Sequence, residues 1–346
     1  MFGSKSKGLF FDLAGDVALV ARTTGTAAPF VIEELREIPV GDASAVADAV
    51  RTMAAVRGSG YATACCGIYP NGRLVSRIPI EPRKLRDEGY LAQHVADTLK
   101  IDAAAHVLVP ITIAEGADIA SVKTALKEIL VCGAPSAEIV AHQNRLLEYG
   151  LFPERLELGT IATIGGLMGQ LRFTDNKSPL LLLEIGLEST LVFVLTRDGV
   201  DIARSVAFGI SSMIPLVQKE LALKDEESAR KLFFSNSFDF TGMGPQLTKR
   251  LLRELQASIG FYEVQTGQSI NQLCCTLLPA KVSWLQRTLA DVLGMKVHSV
   301  DTAAWLKSMG IEPAPGVQVN DLPPVWTSLM CLMGDYRGGV ANEAAA

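Results

Sequence analysis

Apolar and polar positions along this chain alternate, then switch to helical spacing, and that sequence of patterns occurs twice. Residues 8–22, GLFFDLAGDVALVAR, alternate around Ala14-Gly15-Asp16 and predict a β-hairpin; residues 29–39 predict a further strand. Val46, Val50, Met53 and Ala54 share one side of a helix over 43–57. Strands are expected at 61–69 and 73–82, a helix at 83–100, a strand at 106–114, a short helix or loop at 118–127 and a strand at 128–134. Pro135 opens a helix that ends at Gly150, and the apolar run 156–171 predicts another. The polar stretch 173–179 is the best internal boundary.

The pattern then restarts. LLLLEIGLESTLVFVLTRDG, residues 180–199, predicts a strand, a tight turn, a second strand and a hairpin turn, and DIARSVAFG a third strand. Helices follow at 211–223, 225–234 and 245–266, the last with Leu247, Leu251, Leu255, Ile259 and Tyr262 on one side. A strand at 270–278, a helix at 282–293, a strand at 295–300 and a helix at 323–333 complete the reading. Strand hairpins followed by helices, given twice, predict a duplicated α/β architecture with mixed sheets.

Composition narrows the functional classes. With 346 residues, 49% of them hydrophobic and 20% charged, the chain can fill two lobes. It lacks any uninterrupted apolar run of about 18 residues, so no membrane-spanning helix is expected. The apolar piece near the start is too short for a signal peptide and meets Asp12 at once; the last residues, GGVANEAAA, lack a basic amphipathic face. A cytoplasmic protein without direct membrane insertion is the expectation. The net charge of −5 argues against nucleic acid as the main partner. A local basic cluster, Arg73, Arg77, Arg83, Lys84 and Arg86, reads as a solvated face, with a patch for acidic protein segments as the alternative. The 6 cysteines include the vicinal pairs Cys65-Cys66 and Cys274-Cys275, none spaced C-x-x-C, and read as buried free thiols. The 4 histidines show no metal spacing.

The order of these segments, with their local wording, resembles the PilM family of type IV pilus assembly proteins, relatives of FtsA and more distantly of actin, Hsp70 and sugar kinases. The resemblance runs from about residue 8 to 335. RLVSRIPIEP resembles the entry to the family's inserted subdomain, and EILVCGAPSAEIVAHQNRLLEYGLFPERLELGTIATIGGL its return to the first lobe. LLLLEIGLESTLVFVLTRDGVDIARSVAFGISSM resembles a second phosphate hairpin, and QLTKRLLRELQASIGFYEVQTGQSINQLCCTLLPAKVSWLQRTLADVLGMKV the adenosine region. It implies an actin-like (ribonuclease H-like) duplicated two-lobe α/β fold with an inserted small α+β subdomain. The implied domains are 1–70 plus 156–178 as the first lobe, 71–155 as the insertion, 179–335 as the second lobe and 336–346 as a flexible tail.

The resemblance also says where a nucleotide would sit, and there the chain departs from the pattern. The first phosphate hairpin keeps Asp12, but Ala14 stands where glycine is expected, Gly15 and Asp16 replace hydroxyl residues, and Leu19 stands near the expected lysine. Losing that cation removes charge compensation for phosphate. The second hairpin keeps Gly186 and Thr190, with Glu184 in place of aspartate. Glu188 inside its turn would repel phosphate by about 1–4 kcal/mol at about 4 Å, an effect Mg²⁺ would offset. At the adenosine element Cys275, Thr276 and Leu277 replace a Gly-Gly turn, and their side chains fill the volume a nucleoside needs. The degenerate nucleotide set is therefore Asp12, Gly15, Glu184, Gly186 and Thr190, each also readable as a structural turn residue.

The leading expectation is a cytoplasmic scaffold of a type IV pilus or related secretion machine, a pseudo-ATPase with no cofactor. As the resemblance implies, it would bind the cytoplasmic tail of a PilN-like inner-membrane protein in the groove between the first lobe and residues 70–155. The alternatives are an active ATPase using ATP and Mg, or an FtsA-like filament former that self-associates.

Overall fold

The computed structural model describes residues 7–55, 60–85, 87–122, 126–235 and 237–334. The chain divides into two compact units. One holds residues 1–170, 301–321 and 328–346, the other 171–300 and 322–327.

The first unit begins with the hairpin β1 (Gly8–Ala14) and β2 (Val17–Thr23), closed by Gly15-Asp16 with Gly15 at φ 69°. Glycine in the first central position of a two-residue turn suits the right-handed twist of the strands. β3 (Phe30–Pro39) pairs antiparallel with β2, α1 (Ala43–Ala54) follows, and β4 (Ala62–Ile68) lies parallel to β1. Then come β5 (Leu74–Pro79), α2 (Tyr90–Leu99), β6 (His106–Ile111) and β7 (Glu128–Pro135). The three strands make a separate antiparallel sheet, ordered β5-β7-β6, whose Ile78, Ile129 and Val131 cluster with Val95 of α2. α3 (Ser136–Glu148) and β8 (Leu151–Leu158) lead into α4 (Gly159–Phe173), β8 pairing parallel with β4. Val46, Val50 and Met53 of α1 and Leu146 beyond β7 bury with Leu9, Phe11 and Leu13 of β1 in one core. Each such large apolar side chain contributes roughly 1.5–3 kcal/mol on full burial.

The second unit repeats the plan. β9 (Leu180–Ile185), β10 (Thr190–Thr196) and β11 (Gly199–Val206) form an antiparallel meander; α5 (Ile214–Glu220), α6 (Glu226–Phe233), α7 (Gly244–Leu247) and α8 (Lys249–Thr266) follow. β12 (Gln272–Thr276) returns parallel to β9, and α9 (Trp284–Leu293) and β13 (Lys296–Val297) complete the sheet, ordered β11-β10-β9-β12-β13. Leu181, Leu183, Val192 and Val194 from the sheet bury with Leu247, Leu251, Leu255, Leu285 and Leu289 from the helices.

The chain then returns to the first unit through α10 (Thr302–Ser308) and β14 (Ile311–Pro313), which pairs parallel with β3, and α11 (Thr327–Met333) is the last element among the described residues. The first sheet is thereby ordered β14-β3-β2-β1-β4-β8.

Element by element the sequence reading needs several corrections. Residues 151–158 are the strand β8, and the helix expected from 156 starts at Gly159. Residues 82–85 are turns, so the helix expected from 83 begins at Tyr90. The single helix expected over 245–266 breaks at Thr248, which holds a non-helical φ of −102°. α10 and β14 were not expected. The end of the 43–57 helix at Arg57, Arg86 of the basic cluster and the tail 336–346 lie outside the described residues. Among the described residues no helix is long and apolar enough to cross a membrane.

Candidate functional site

Asp12 sits mid-strand in β1, fully buried, opposite Leu19 of β2 and beside Gly67 of β4. A carboxylate there needs donors, and residues far away in sequence supply them. The Ser328 hydroxyl of α11 donates to Asp12 Oδ2, and the Tyr69 hydroxyl donates to the same oxygen at 3.3 Å. Gly67 makes room for the carboxylate, because a Cβ at 67 would lie 2.2 Å from Asp12 Oδ1. Tyr69 is wedged in turn, since a Cβ at Gly159 would meet its ring at 2.2 Å. The Arg73 guanidinium lies 5.5 Å from the Tyr69 ring centroid and donates from Nε to Thr160 Oγ1 at 3.2 Å. Of the first-hairpin residues, Gly15 therefore shapes the turn, while Asp12 is held by protein groups. Leu19, near the position of the expected lysine, is buried and apolar.

In the second unit Glu184 is buried on β9, registered with Thr276 of β12 and Leu191 of β10. Gly186 opens the β9–β10 turn, its N–H donating to the Ser189 carbonyl at 2.9 Å. The segment after β11 grips this turn: Ile210 N–H donates to the Gly186 carbonyl at 2.9 Å and Ser211 N–H to the Leu187 carbonyl at 2.8 Å. Gly209 permits this approach, because a Cβ there would lie 2.3 Å from the Leu187 carbonyl oxygen. Thr190 is fully buried and its hydroxyl donates to the Phe208 carbonyl at 2.7 Å. Glu188 is exposed at the tip.

The end of β12 carries the clearest backbone signature. Leu277 holds φ 61°, the left-handed region that favours glycine, and its side chain is buried. Such a residue costs about 1–2 kcal/mol in backbone strain. The bend that glycine would make is kept, with a leucine making it. Gln286 of α9 anchors the strand through Oε1, which accepts from Cys275 N–H at 2.7 Å.

The neighbours of these candidates that sequence reasoning missed are thus Gly67, Tyr69, Gly159 and Ser328 around Asp12, and Phe208 and Gly209 around Thr190. No local spacing signals them.

The remaining sequence candidates have structural roles. Arg77 pairs with Glu128, Lys84 with Glu81 at 2.8 Å, and Arg73 stacks on Tyr69, so these cations serve their own neighbours. All 6 cysteines are buried. Burial pushes the Cys132 and Cys274 thiols up to about 12 and raises Cys66 and Cys275 strongly. Each histidine donates to a carbonyl: His94 to Pro79, His106 to Asp102, His142 to Glu138, and His298 to the side chain of Gln272. Among the described residues no cluster of His, Cys, Asp and Glu is arranged to hold a metal.

The chain superposes on a chain of the PilM-PilN type IV pilus biogenesis complex with a TM-score of 0.68, covering 95% of this chain and 98% of that one, at 17% identity. The fold is PilM-like. A Bacteroides thetaiotaomicron protein with an actin-like ATPase fold gives a TM-score of 0.42 at 9% identity, covering 85% of this chain and 91% of that one. The cytoplasmic domain of EpsL, an inner-membrane component of the Vibrio cholerae type II secretion system, gives 0.43 at 11%, covering 96% and 95%. By sequence, no family profile and no curated protein matches the chain. In this chain the small sheet β5-β7-β6 is inserted in sequence between β4 and β8.

Proposed function

We propose that this chain is a scaffold of a type IV pilus or related secretion assembly machine, holding the cytoplasmic tail of a PilN-like inner-membrane protein, with tight ATP binding lost. The observation that carries the reading is the end-to-end match to a chain of the PilM-PilN complex. The tail would lie against the inserted subdomain, whose edge strand β6 exposes Val107 and Val109 at 48% and 52%. An extended peptide beside an open strand gains backbone hydrogen bonds from the edge and specificity from alternate side chains. With no membrane-crossing helix among its described residues, the chain would in this way work at the inner membrane through its partner.

Loss of ATP binding is supported by the site residues. Asp12 is capped by Ser328 and Tyr69, and Leu277 occupies the glycine conformation at the end of β12. An incoming metal–phosphate group would have to displace the Ser328 hydroxyl from a buried carboxylate.

The test titrates the purified protein with a labelled peptide copying the cytoplasmic tail of the membrane protein encoded beside it, with and without Mg-ATP. Saturable peptide binding that Val109→Glu weakens at unchanged thermal stability is the expected result. No thermal shift with millimolar ATP is expected, whereas ligand at 100 times its Kd would stabilise the fold by about 2.7 kcal/mol. Absence of tail binding removes the scaffold reading. A clear Mg-dependent ATP shift replaces the nucleotide-free scaffold with an ATP-switched one.

A further inference from the structure

The outer side of β6 is open along only part of its length. Thr112 N–H points outward and donates to the Ala117 carbonyl at 2.8 Å, in a turn that brings Asp118 opposite Ile111. Successive strand residues turn their N–H and C=O groups to opposite sides. The backbone of Leu108 and Pro110 therefore faces outward, and that of Val107 and Val109 faces β7. At the other end His106 N–H returns to the Ala103 carbonyl. Proline has no N–H, so between these stops Leu108 is the residue that turns both a donor and an acceptor to the open side. The stretch from His106 to Pro110 holds an extended segment of about 17 Å. Backbone bonding at one residue cannot choose such a segment, so the side chains around the stretch must.

Those side chains are apolar in the middle and acidic at the ends. Leu108 packs toward Val95 of α2, so Val107, Val109 and Ile111 take the other face, the first two about half exposed. Bridged residues share a face, which sets Asp118 beside Ile111 on that side. Asp102 and Asp118 each cap a single turn, accepting from Ala104 N–H at 3.0 Å and from Ala120 N–H at 2.9 Å. Both are exposed, as is Glu115. From residue 101 to residue 122 the chain has no lysine or arginine; Lys100 precedes the stretch at the end of α2. His106 turns its ring to the Asp102 carbonyl at 2.8 Å, and Arg77 across the sheet pairs with Glu128. A rim of this sign repels anionic lipid headgroups and attracts cationic segments.

Resting on the scaffold reading above, we propose that the β6 edge selects a basic tail. Alternate apolar side chains of a short extended segment lie on Val107 and Val109, and its lysines or arginines meet Asp102, Glu115 and Asp118. Segments on the cytoplasmic side of a membrane-spanning helix carry an excess of Lys and Arg, so the charge of this edge fits the tail of a membrane protein. The attachment is salt-sensitive, because exposed charges are screened within about 8 Å at physiological ionic strength and only within about 30 Å at 0.01 M.

The test titrates the full chain with the labelled tail peptide of the membrane protein encoded beside it, by fluorescence anisotropy at low and at physiological ionic strength. Asp102→Asn, Glu115→Gln and Asp118→Asn together keep both caps, since asparagine caps as well as aspartate, and leave the thermal midpoint unchanged. At low salt they should weaken the tail about tenfold, and the salt dependence should shrink. Val109→Lys and Val109→Glu remove the same apolar contact, but the lysine also repels a basic tail. The lysine variant should bind more weakly than the glutamate variant, with the gap closing as salt is added. Tail binding indifferent to the triple change, or to the sign of the charge at position 109, overturns the basic-tail proposal and leaves the scaffold reading standing. A tail that binds the wild-type chain at neither ionic strength overturns both.

Discussion

At the scale of single residues, the chemistry of Asp12 is set by what surrounds it. A buried carboxylate that loses a hydroxyl donor bears the cost of desolvation unrelieved, so Ser328→Ala should destabilise the fold by about 1.5–3 kcal/mol in denaturant titration. Gly67→Ala places a Cβ 2.2 Å from Asp12 Oδ1 and should cost about 1–3 kcal/mol by overpacking. In an Asp12→Ala background the same change should cost less, because the clashing atom is gone; additive costs would mean that Gly67 is required for some other reason. The hairpin that carries Asp12 was legible from its strand–turn–strand pattern with Gly15, whereas Asp12 as a phosphate-site residue came from the resemblance alone. Ser328 was not legible, lying 316 positions away, where only the fold brings it to the carboxylate. Glu184, Gly186 and Thr190 were legible as a turn in the same way, but the grip of Phe208 and Gly209 on that turn depends on backbone approach that no residue type announces. Leu277 was legible as a missing glycine, while its left-handed backbone is a fact of the fold alone.

Elements that were long and strongly periodic were legible; short and edge elements were not. β8 was missed because Pro153 interrupts it and its apolar end, Leu156 and Leu158, runs into the apolar start of α4; as an edge strand pairing only with β4 it tolerates a residue with no N–H. β14 has only 3 residues and offers no periodicity to read. β13 is shorter still, at 2 residues, and is extended by His298, whose N–H donates to the Leu273 carbonyl at 2.8 Å and whose ring donates to Gln272. Burial lowers the His298 pKa from its ordinary value of 6.5. The unfolded chain then binds the proton first, so the contribution of neutral His298 is whole above about pH 6.5 and is lost as pH falls through the lower folded value. Unfolding free energies across pH 7.5 to 5.5 should therefore converge between wild type and His298→Gln as the solution is acidified. A gap that stays constant would mean that the imidazole is not the titrating group at this edge.

On the scale of the whole molecule, the duplication was legible because the hairpin-then-helices pattern restarts after the polar stretch 173–179. What the pattern did not reveal is that the chain recrosses: residues 301–321 and 328–346 belong with the first 170. Long-range closure of this kind leaves no local trace, since β14 acquires its strand character only by pairing with β3. It does have a consequence for stability. Leu329, Met330, Cys331, Leu332 and Met333 are each at most 3% exposed, and the Leu332 carbonyl accepts from Arg155 Nη2 at 2.7 Å. Removing residues 328–346 would strip the first unit of these buried side chains, of the donor to Asp12 and of the acceptor for Arg155. With a single Leu→Ala in a core costing about 2–5 kcal/mol, the combined loss exceeds the stability of an ordinary domain. The core of the second unit draws on residues 181–295 and contains none of the deleted side chains. The truncated chain should therefore show rapid amide exchange and proteolysis throughout β1–β4 while β9, β10 and β12 stay protected. Protection retained equally in both units would mean that α11 is an accessory to the first core and not part of it.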